Sequence, residues 1–208
     1  MFDMLPKFYK PADEWVFLYA SKKELVMFYS DLPKIFGPDP LYKEDEGITI
    51  LRDKYGIEAP DQIFKQIYCG LSNDPEFQAL YGHLNLKSLK WDLVRLQTSE
   101  FTRLGRNATY PDFMLGISED FTTYGNKICI DAREEVAEHW LEFGTWAEPP
   151  MFIERALVSS GESGLHLMEG HKRLGTLLGA IKYGFVQLAD THEIYIASMA
   201  QHHPNYRS

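Results

Sequence analysis

The pattern of apolar and polar positions changes its period at Gly170. Over residues 165–169 the leucines stand two apart, which is the period of a strand with one buried face. After the glycine, apolar residues recur at three- and four-residue steps over residues 171–183, which is the period of an amphipathic helix. The sequence therefore predicts a strand that stops at a glycine and a helix that begins directly after it.

The other elements of the C-terminal half follow from the same two periods and from the positions of glycine, serine and proline. They are a helix over 131–143, a strand over 151–158, a turn over 159–164 and a strand over 193–198. Two strands joined by a short turn rich in glycine and serine are typical of a hairpin. This half of the chain is thus expected to form a small mixed sheet with helices.

The N-terminal half reads as mainly helical. Its pattern predicts one or two helices over 13–36, a mixed segment over 41–60 with a short strand at 47–51, a helix from about 60 to 70, and helices over 74–104. Breaker residues are dense over 105–126, which predicts a loop-rich connector and a domain boundary. We therefore expect an α+β fold in which a helical region, 1–125, packs on a small mixed-sheet domain, 126–208.

The composition is typical of a globular protein and argues against nucleic-acid-coating, disulfide-rich and membrane-spanning proteins. The 208 residues are 45% hydrophobic and 25% charged, as in an ordinary globular protein. The net charge of −9 argues against a protein that coats nucleic acid, because phosphate backbones need clustered lysine and arginine. Cys69 and Cys129 stand too far apart for a disulfide framework or a zinc spacing and are expected to be free thiols. No apolar run reaches membrane-span length, so we expect a cytoplasmic protein without membrane contact.

The junction between the predicted strand and helix carries the candidate chemistry. It reads Glu169-Gly170-His171-Lys172-Arg173. Backbone N–H groups at the start of a helix lack intrahelical acceptors and attract anions, and glycine allows a ligand close to the backbone. Cations at this end oppose the helix dipole unless an anion is present. The residues therefore predict a phosphate-binding site.

Each side chain of this junction suits a different role. Arg173 offers a planar fork of donors to phosphate oxygens, and His171 can donate to a phosphate or transfer a proton. Lys172 is either solvated or a point charge on the phosphate. Glu169 has four open interpretations: general base, Mg²⁺ ligand, ion-pair partner of Arg173, or helix cap. A second polar cluster facing this site would draw on Asp131, Arg133, Glu134 and Glu154.

This stretch resembles the ParB/sulfiredoxin-like superfamily, whose signature is a strand, an acid-Gly-His-x-Arg type motif and a helix. The matching residues are Glu169, Gly170, His171 and Arg173. The resemblance covers residues 126–198 and includes the preceding helix and the entry at Pro149-Pro150. The reductase branch of the superfamily uses a cysteine where this chain has Glu169 or Gly170, so that activity is not implied.

The resemblance implies a nucleotide, ATP or CTP, and Mg²⁺ at this junction. Glu169 and His171 would then be the catalytic candidates, Glu169 the metal ligand, and residues 170–173 the nucleotide-binding segment. The implied reaction is phosphoryl transfer or nucleotide hydrolysis. The alternative is a non-catalytic regulatory or interaction module on the same scaffold, which binds a protein or nucleic-acid partner.

Overall fold

The structure is a computed structural model that describes residues 25–104, 107–124, 130–131 and 133–199. Four strands form one mixed sheet within these residues. They are β1 Leu89–Gln97, β2 Met151–Glu154, β3 Leu165–Glu169 and β4 Thr191–Met199. The order across the sheet is β1-β4-β2-β3. β1 and β4 are antiparallel, β4 and β2 are parallel, and β2 and β3 form an antiparallel hairpin.

Helices make up most of the remaining described chain. They are α1 Leu32–Phe36, α2 Glu44–Thr49, α3 Asp61–Ile63, α4 Pro75–Tyr81, α5 Thr98–Phe101, α6 Pro111–Tyr124, α7 Glu134–Phe143 and α8 His171–Tyr183. The π-helical segments Ile50–Lys54 and Phe64–Cys69 continue α2 and α3. The fold is therefore α+β, as expected.

Both faces of the sheet are covered by helices. On one face, Met151 and Ile153 of β2 join a core built from residues of α1 to α4. On the other, Phe152 packs in a core with residues of α5 to α8. Successive residues of a strand point to opposite faces, so the short β2 contributes to both cores. The sheet is the middle layer between the N-terminal helices and α5–α8.

Gly175 allows α6 to lie close against α8. A Cβ atom at Gly175 would stand 2.7 Å from the carbonyl oxygen of Met114 and 2.8 Å from the Cβ of Ile117. Real Cβ atoms essentially never lie closer than 3.0 Å to another heavy atom, so only glycine fits where α8 crosses α6. The close approach fixes the direction of α8, whose first turn carries the candidate site.

The strongest predictions from periodicity are confirmed. β3 and α8 span the residues that the change of period marks, and β2 and β3 form a hairpin. The strand predicted over 151–158 is shorter than expected, because β2 ends at Glu154 and a 3-10 helix spans Arg155–Leu157. The helix from about 60 to 70 and the one near Phe77 are also present, and the helix predicted over 131–143 spans Glu134–Phe143. Cys69 is a buried free thiol. Cys129, the start of the 13–36 segment and the C-terminal tail lie outside the described residues.

Two predictions for the N-terminal half are wrong. Residues 89–97, expected in a helix, form β1, because nine consecutive residues pair with β4. Residues 47–51, expected as a short strand, belong to α2 and its π-helical continuation. There Ile48 and Leu51 stand three apart and are both buried, and acidic residues occupy the favourable first turn of α2.

The segment expected to be a loop-rich connector contains a helix of 14 residues, α6. Pro111 is the first residue of α6, a position that suits proline because its missing N–H has no intrahelical acceptor. Gly116 is tolerated within the helix, where a Cβ would meet nothing within 4 Å. The boundary between 125 and 126 lies outside the described residues and stays a prediction. β1, which precedes this predicted boundary, and β4, which follows it, are hydrogen-bonded neighbours in one sheet.

Candidate functional site

The turn between β3 and α8 depends on Gly170. Its φ of +99° lies in the region that favours glycine. A Cβ atom here would also lie 2.5 Å from the Cβ of Pro150. The turn is therefore held against the segment that enters β2, and α8 begins at His171 directly after it. The first helical hydrogen bond runs from the N–H of Leu174 to the carbonyl of Gly170.

Four protein acceptors hold the two terminal nitrogens of Arg173. Its Nη1 donates to the carbonyl oxygens of Glu148 and Pro149, at 3.1 and 3.0 Å. Its Nη2 donates to Oε1 of Gln66 at 2.8 Å and to Oε1 of Glu169 at 3.3 Å. The side chain is only 19% exposed. Arg173 therefore joins α8, the segment before β2 and the N-terminal helical layer.

The carboxylate of Glu169 is likewise occupied by neighbouring donors. One oxygen pairs with Arg173, and the other accepts a hydrogen bond from the N–H of Gly170. The second oxygen also lies 3.8 Å from Nδ1 of His171. Burial opposes ionisation of Glu169, but His171 and Arg173 outweigh it and lower the pKa of this carboxyl group. The geometry places Glu169 as an ion-pair partner and a helix-terminal acceptor.

His171 is buried and oriented by two neighbours. Its Nε2 accepts a hydrogen bond from the backbone N–H of Tyr110 at 3.1 Å. Because Nε2 is the acceptor, a neutral ring carries its proton on Nδ1, which faces Glu169. The ring also lies edge-on to the ring of Tyr110, with centroids 5.3 Å apart. The lone pair that a general base would use is thus engaged by the main chain.

A second charged cluster lies next to this turn. Asp131 is 5% exposed and accepts hydrogen bonds from Nε and Nη2 of Arg133, both at 3.1 Å. Lys172 approaches the other side of the carboxylate, with Nζ 3.2 Å from Oδ2. Burial raises the pKa of Asp131, but the hydrogen bonds from Arg133 and Lys172 outweigh it and lower the pKa to about 2. One buried carboxylate thus holds two cations, both of which remain partly exposed.

The two clusters line the same cavity, which has a volume of about 740 Å³. This volume is in the range of sites that hold small organic ligands. Much of the wall is apolar or aromatic, from Leu71, Phe77, Phe113, Trp140, Trp146 and Met168. The charged groups lie together with the first turn of α8. The cavity is therefore lined by both apolar and charged side chains.

The structure brings together all the residues predicted for the turn, namely Glu169, Gly170, His171, Lys172 and Arg173. Of the candidates for a second polar cluster, Asp131 and Arg133 line the cavity, whereas Glu134 and Glu154 are not among its lining residues. Sequence reasoning missed Gln66 and Tyr110. No local signal identifies them, because they reach the turn from positions about 60 to 110 residues earlier.

No metal cluster accompanies the turn in the described part of the chain, where no three His, Cys, Asp or Glu residues are grouped for a metal ion. Glu169 was the candidate Mg²⁺ ligand, and its oxygens have protein donors. Within the same residues, no helix has the length and apolar character required to cross a membrane.

Comparison of the chain with protein-family models, with curated proteins and with solved structures finds no match. The resemblance to the ParB/sulfiredoxin-like superfamily therefore stays a prediction. Any functional assignment has to be argued from the geometry of the cavity.

Proposed function

We propose that this protein binds a small phosphate-bearing molecule in the cavity beside the first turn of α8. One observation carries this proposal. Two cations, Arg133 and Lys172, share the buried carboxylate of Asp131. The charge of this cluster is therefore locally positive, while the lining as a whole holds three carboxylates and three cations. A phosphate group is the complementary partner, since charge-assisted hydrogen bonds to its oxygens are strong.

The start of α8 adds to this attraction. The N–H groups of residues 171–173 precede the first intrahelical bond and have no carbonyl four residues before them within the helix. The positive end of the helix dipole lies at the same place. Lys172 belongs to this first turn, so its side chain and the backbone dipole act on one anion.

The apolar wall indicates that the phosphate belongs to an organic molecule. Trp140 and Trp146 are buried side chains that contribute to the lining. Such a wall accommodates an aromatic or aliphatic group, as in most small-molecule sites. The resemblance makes ATP and CTP, with or without Mg²⁺, candidates for this ligand. The two cations would bind the phosphate of any other organic phosphate equally well.

The arrangement of the two catalytic candidates supports a binding role over phosphoryl transfer. A general base needs a free lone pair within reach of its substrate. Nε2 of His171 accepts from the main chain, and both oxygens of Glu169 have donors. These contacts favour binding of the ligand without phosphoryl transfer; they do not bear on the alternative of a module that binds a protein or nucleic-acid partner.

Isothermal titration calorimetry with inorganic phosphate, ATP and CTP, each with and without Mg²⁺, tests the proposal. We expect binding of at least one of these ligands, and we expect Lys172→Met or Arg133→Met to weaken it about tenfold or more, the scale of a hydrogen bond to a charged group. Lys43→Met, at an exposed lysine outside the lining, is the matched control and should bind like the wild type.

Two results would contradict the proposal. The first is the absence of binding by every phosphate-bearing ligand tested. The second is unchanged affinity in both cation variants. Nucleotide hydrolysis that Glu169→Gln abolishes would instead restore the catalytic interpretation, because that substitution keeps the size of the side chain and removes its charge.

A further inference from the structure

An exposed aromatic side chain, Phe113, lines the cavity. It belongs to the first turn of α6 and is 56% exposed. The other aromatic residues of the lining are less accessible, since Phe77, Trp140 and Trp146 are buried and Tyr110 is half-buried. Among the described residues of the lining, Phe113 is therefore the only large apolar side chain that is exposed, which places it at the opening of the cavity.

Phe113 has little part in the packing of the fold. It belongs to neither hydrophobic core, although its neighbour Met114 is completely buried. No other aromatic ring of the described chain pairs with the ring of Phe113. By contrast, the similarly exposed ring of Phe143 in α7 packs on the ring of His139, with centroids 4.6 Å apart. The ring of Phe113 therefore has apolar surface that a ligand in the cavity could cover.

The backbone that carries Phe113 is fixed beside the first turn of α8. Tyr110, directly before α6, donates its N–H to Nε2 of His171 at 3.1 Å. Its hydroxyl donates to the carboxylate of Asp74, whose oxygens lie at 2.8 and 2.9 Å. The N–H of Met114 then donates to the carbonyl of Tyr110. Phe113 lies between these two anchored residues, so binding of a ligand against it requires little ordering of the backbone.

We infer that Phe113 is a specificity-determining residue that selects a phosphate ester of a planar aromatic molecule. The phosphate would bind at Lys172 and Arg133, and the aromatic group would pack on the ring of Phe113. This inference rests on the proposed phosphate site and adds the chemical class of the organic group. The cavity volume of about 740 Å³ leaves room for such a group beside the phosphate.

The chemistry of ring contacts distinguishes an aromatic ligand from an aliphatic one. Two aromatic rings attract each other beyond the effect of buried area, because the electron-rich face of one ring meets the positive edge of the other or stacks on it with an offset. An aliphatic group of the same size gains only from leaving water. The cavity should therefore prefer a planar aromatic group over a saturated ring with the same number of carbon atoms.

Isothermal titration calorimetry of the whole chain with phenyl phosphate, cyclohexyl phosphate and inorganic phosphate tests the inference. At about pH 8 the two esters carry the same charge and differ only in the saturation of the ring. We expect the wild type to bind phenyl phosphate about threefold more tightly than cyclohexyl phosphate, or better, which is the scale of a contact between two rings. Phe113→Leu should reduce the ratio of the two affinities to about one, and Phe113→Tyr, which keeps the ring, should preserve it.

Phe143→Leu is the matched control, because Phe143 is 51% exposed on a helix and lies outside the lining. It should keep the preference for phenyl phosphate, and a loss of preference in this variant would overturn the inference.

The remaining results separate this inference from the proposed function. Inorganic phosphate that binds while the two esters bind equally, or while phenyl phosphate does not bind, overturns the aromatic site and leaves the phosphate site in place. A preference that survives Phe113→Leu excludes Phe113 as its source. Loss of the fold in Phe113→Leu, measured by circular dichroism, would contradict the position of this residue outside both cores and overturn the inference as well. If no phosphate compound binds, the proposed function and this inference fail together.

Discussion

Replacing Arg173 by methionine is expected to destabilise the fold more than it changes ligand affinity. The guanidinium group connects three parts of the chain through the carbonyls of Glu148 and Pro149, the amide of Gln66 and the carboxylate of Glu169. Methionine keeps an unbranched, largely apolar stem, is shorter than arginine and has no donor. The substitution therefore removes all four hydrogen bonds while it keeps the packing of the side-chain stem.

The contacts themselves give the size of the effect. A hydrogen bond to a charged group contributes about 1.5–3 kcal/mol, and removing one partner of a buried ion pair costs about 3–5 kcal/mol. Glu169 keeps the N–H of Gly170 as a donor, and the side chains of Arg173 and Glu169 are 19% and 29% exposed, so the lower values apply. We expect Arg173→Met to lower the free energy of unfolding by about 3 kcal/mol, which corresponds to a fall in Tm of roughly 6–12 °C.

Urea denaturation followed by circular dichroism measures this loss. Arg103→Met provides the matched control, because Arg103 is exposed and should change the free energy of unfolding by less than about 0.5 kcal/mol. A loss below about 1 kcal/mol in Arg173→Met, together with a strong loss of phosphate affinity, would refute this reasoning. Arg173 would then act mainly on the ligand, and the cross-link between layers would have little energetic weight.

Two further substitutions test the geometry of the turn and of the second cluster. Gly170→Ala combines a positive φ with a clash against Pro150, whereas Gly164→Ala has a similar φ of +96° and open space around it. In urea denaturation, we expect Gly170→Ala to lower the free energy of unfolding by about 3 kcal/mol and Gly164→Ala to lower it by about 1 kcal/mol. Equal losses in the two variants would exclude the clash. The pKa of Asp131 is lowered to about 2 in the folded protein, so its stabilising contribution is complete above about pH 5 and is lost as the pH falls toward 2. Between about pH 5 and pH 2, the free energy of unfolding of the wild type, measured by urea denaturation, should fall by about 2 kcal/mol more than that of Asp131→Asn. Parallel pH curves for the two proteins would show that the ion pairs of Asp131 contribute nothing.

The site turn could be predicted from the sequence because its determinants are local. Alternating leucines, a glycine and a helical period follow one another within twenty residues, and each has a backbone consequence that does not depend on distant parts of the chain. The α+β class followed from the same local patterns. The phosphate-site interpretation also drew on these residues alone.

The roles of the side chains could not be predicted in the same way. Arg173 reads as a free phosphate ligand in the sequence, and its use as a cross-link depends on Gln66, 107 residues earlier. The hydrogen bond from the side-chain amide of Gln66 to Glu148 likewise joins residues 82 positions apart. Pairing between distant residues decides which charges remain available to a ligand.

The same limitation explains the missed strand. Leu89, Leu93 and Leu96 stand four and three residues apart, which matches a helical face. In the fold, Leu89 and Leu93 face one side of the sheet and Leu96 the other, because β4 supplies nine backbone partners for β1. The partner strand lies about a hundred residues away, so the local period gives no indication of it.

The pairing of β1 with β4 also has a consequence for the order in which the chain folds. Leu89 lies opposite Met199, so about 110 residues separate the first pair of this ladder. During synthesis, β1 leaves the ribosome long before the only strand that borders it within the described sheet. Contacts between residues so distant in sequence slow folding, and a strand that waits for its partner exposes apolar residues and unpaired backbone groups to other chains. Refolding of this protein at high concentration should therefore compete with aggregation through β1, and the charged residues Lys90, Asp92 and Arg95 within that strand reduce the risk.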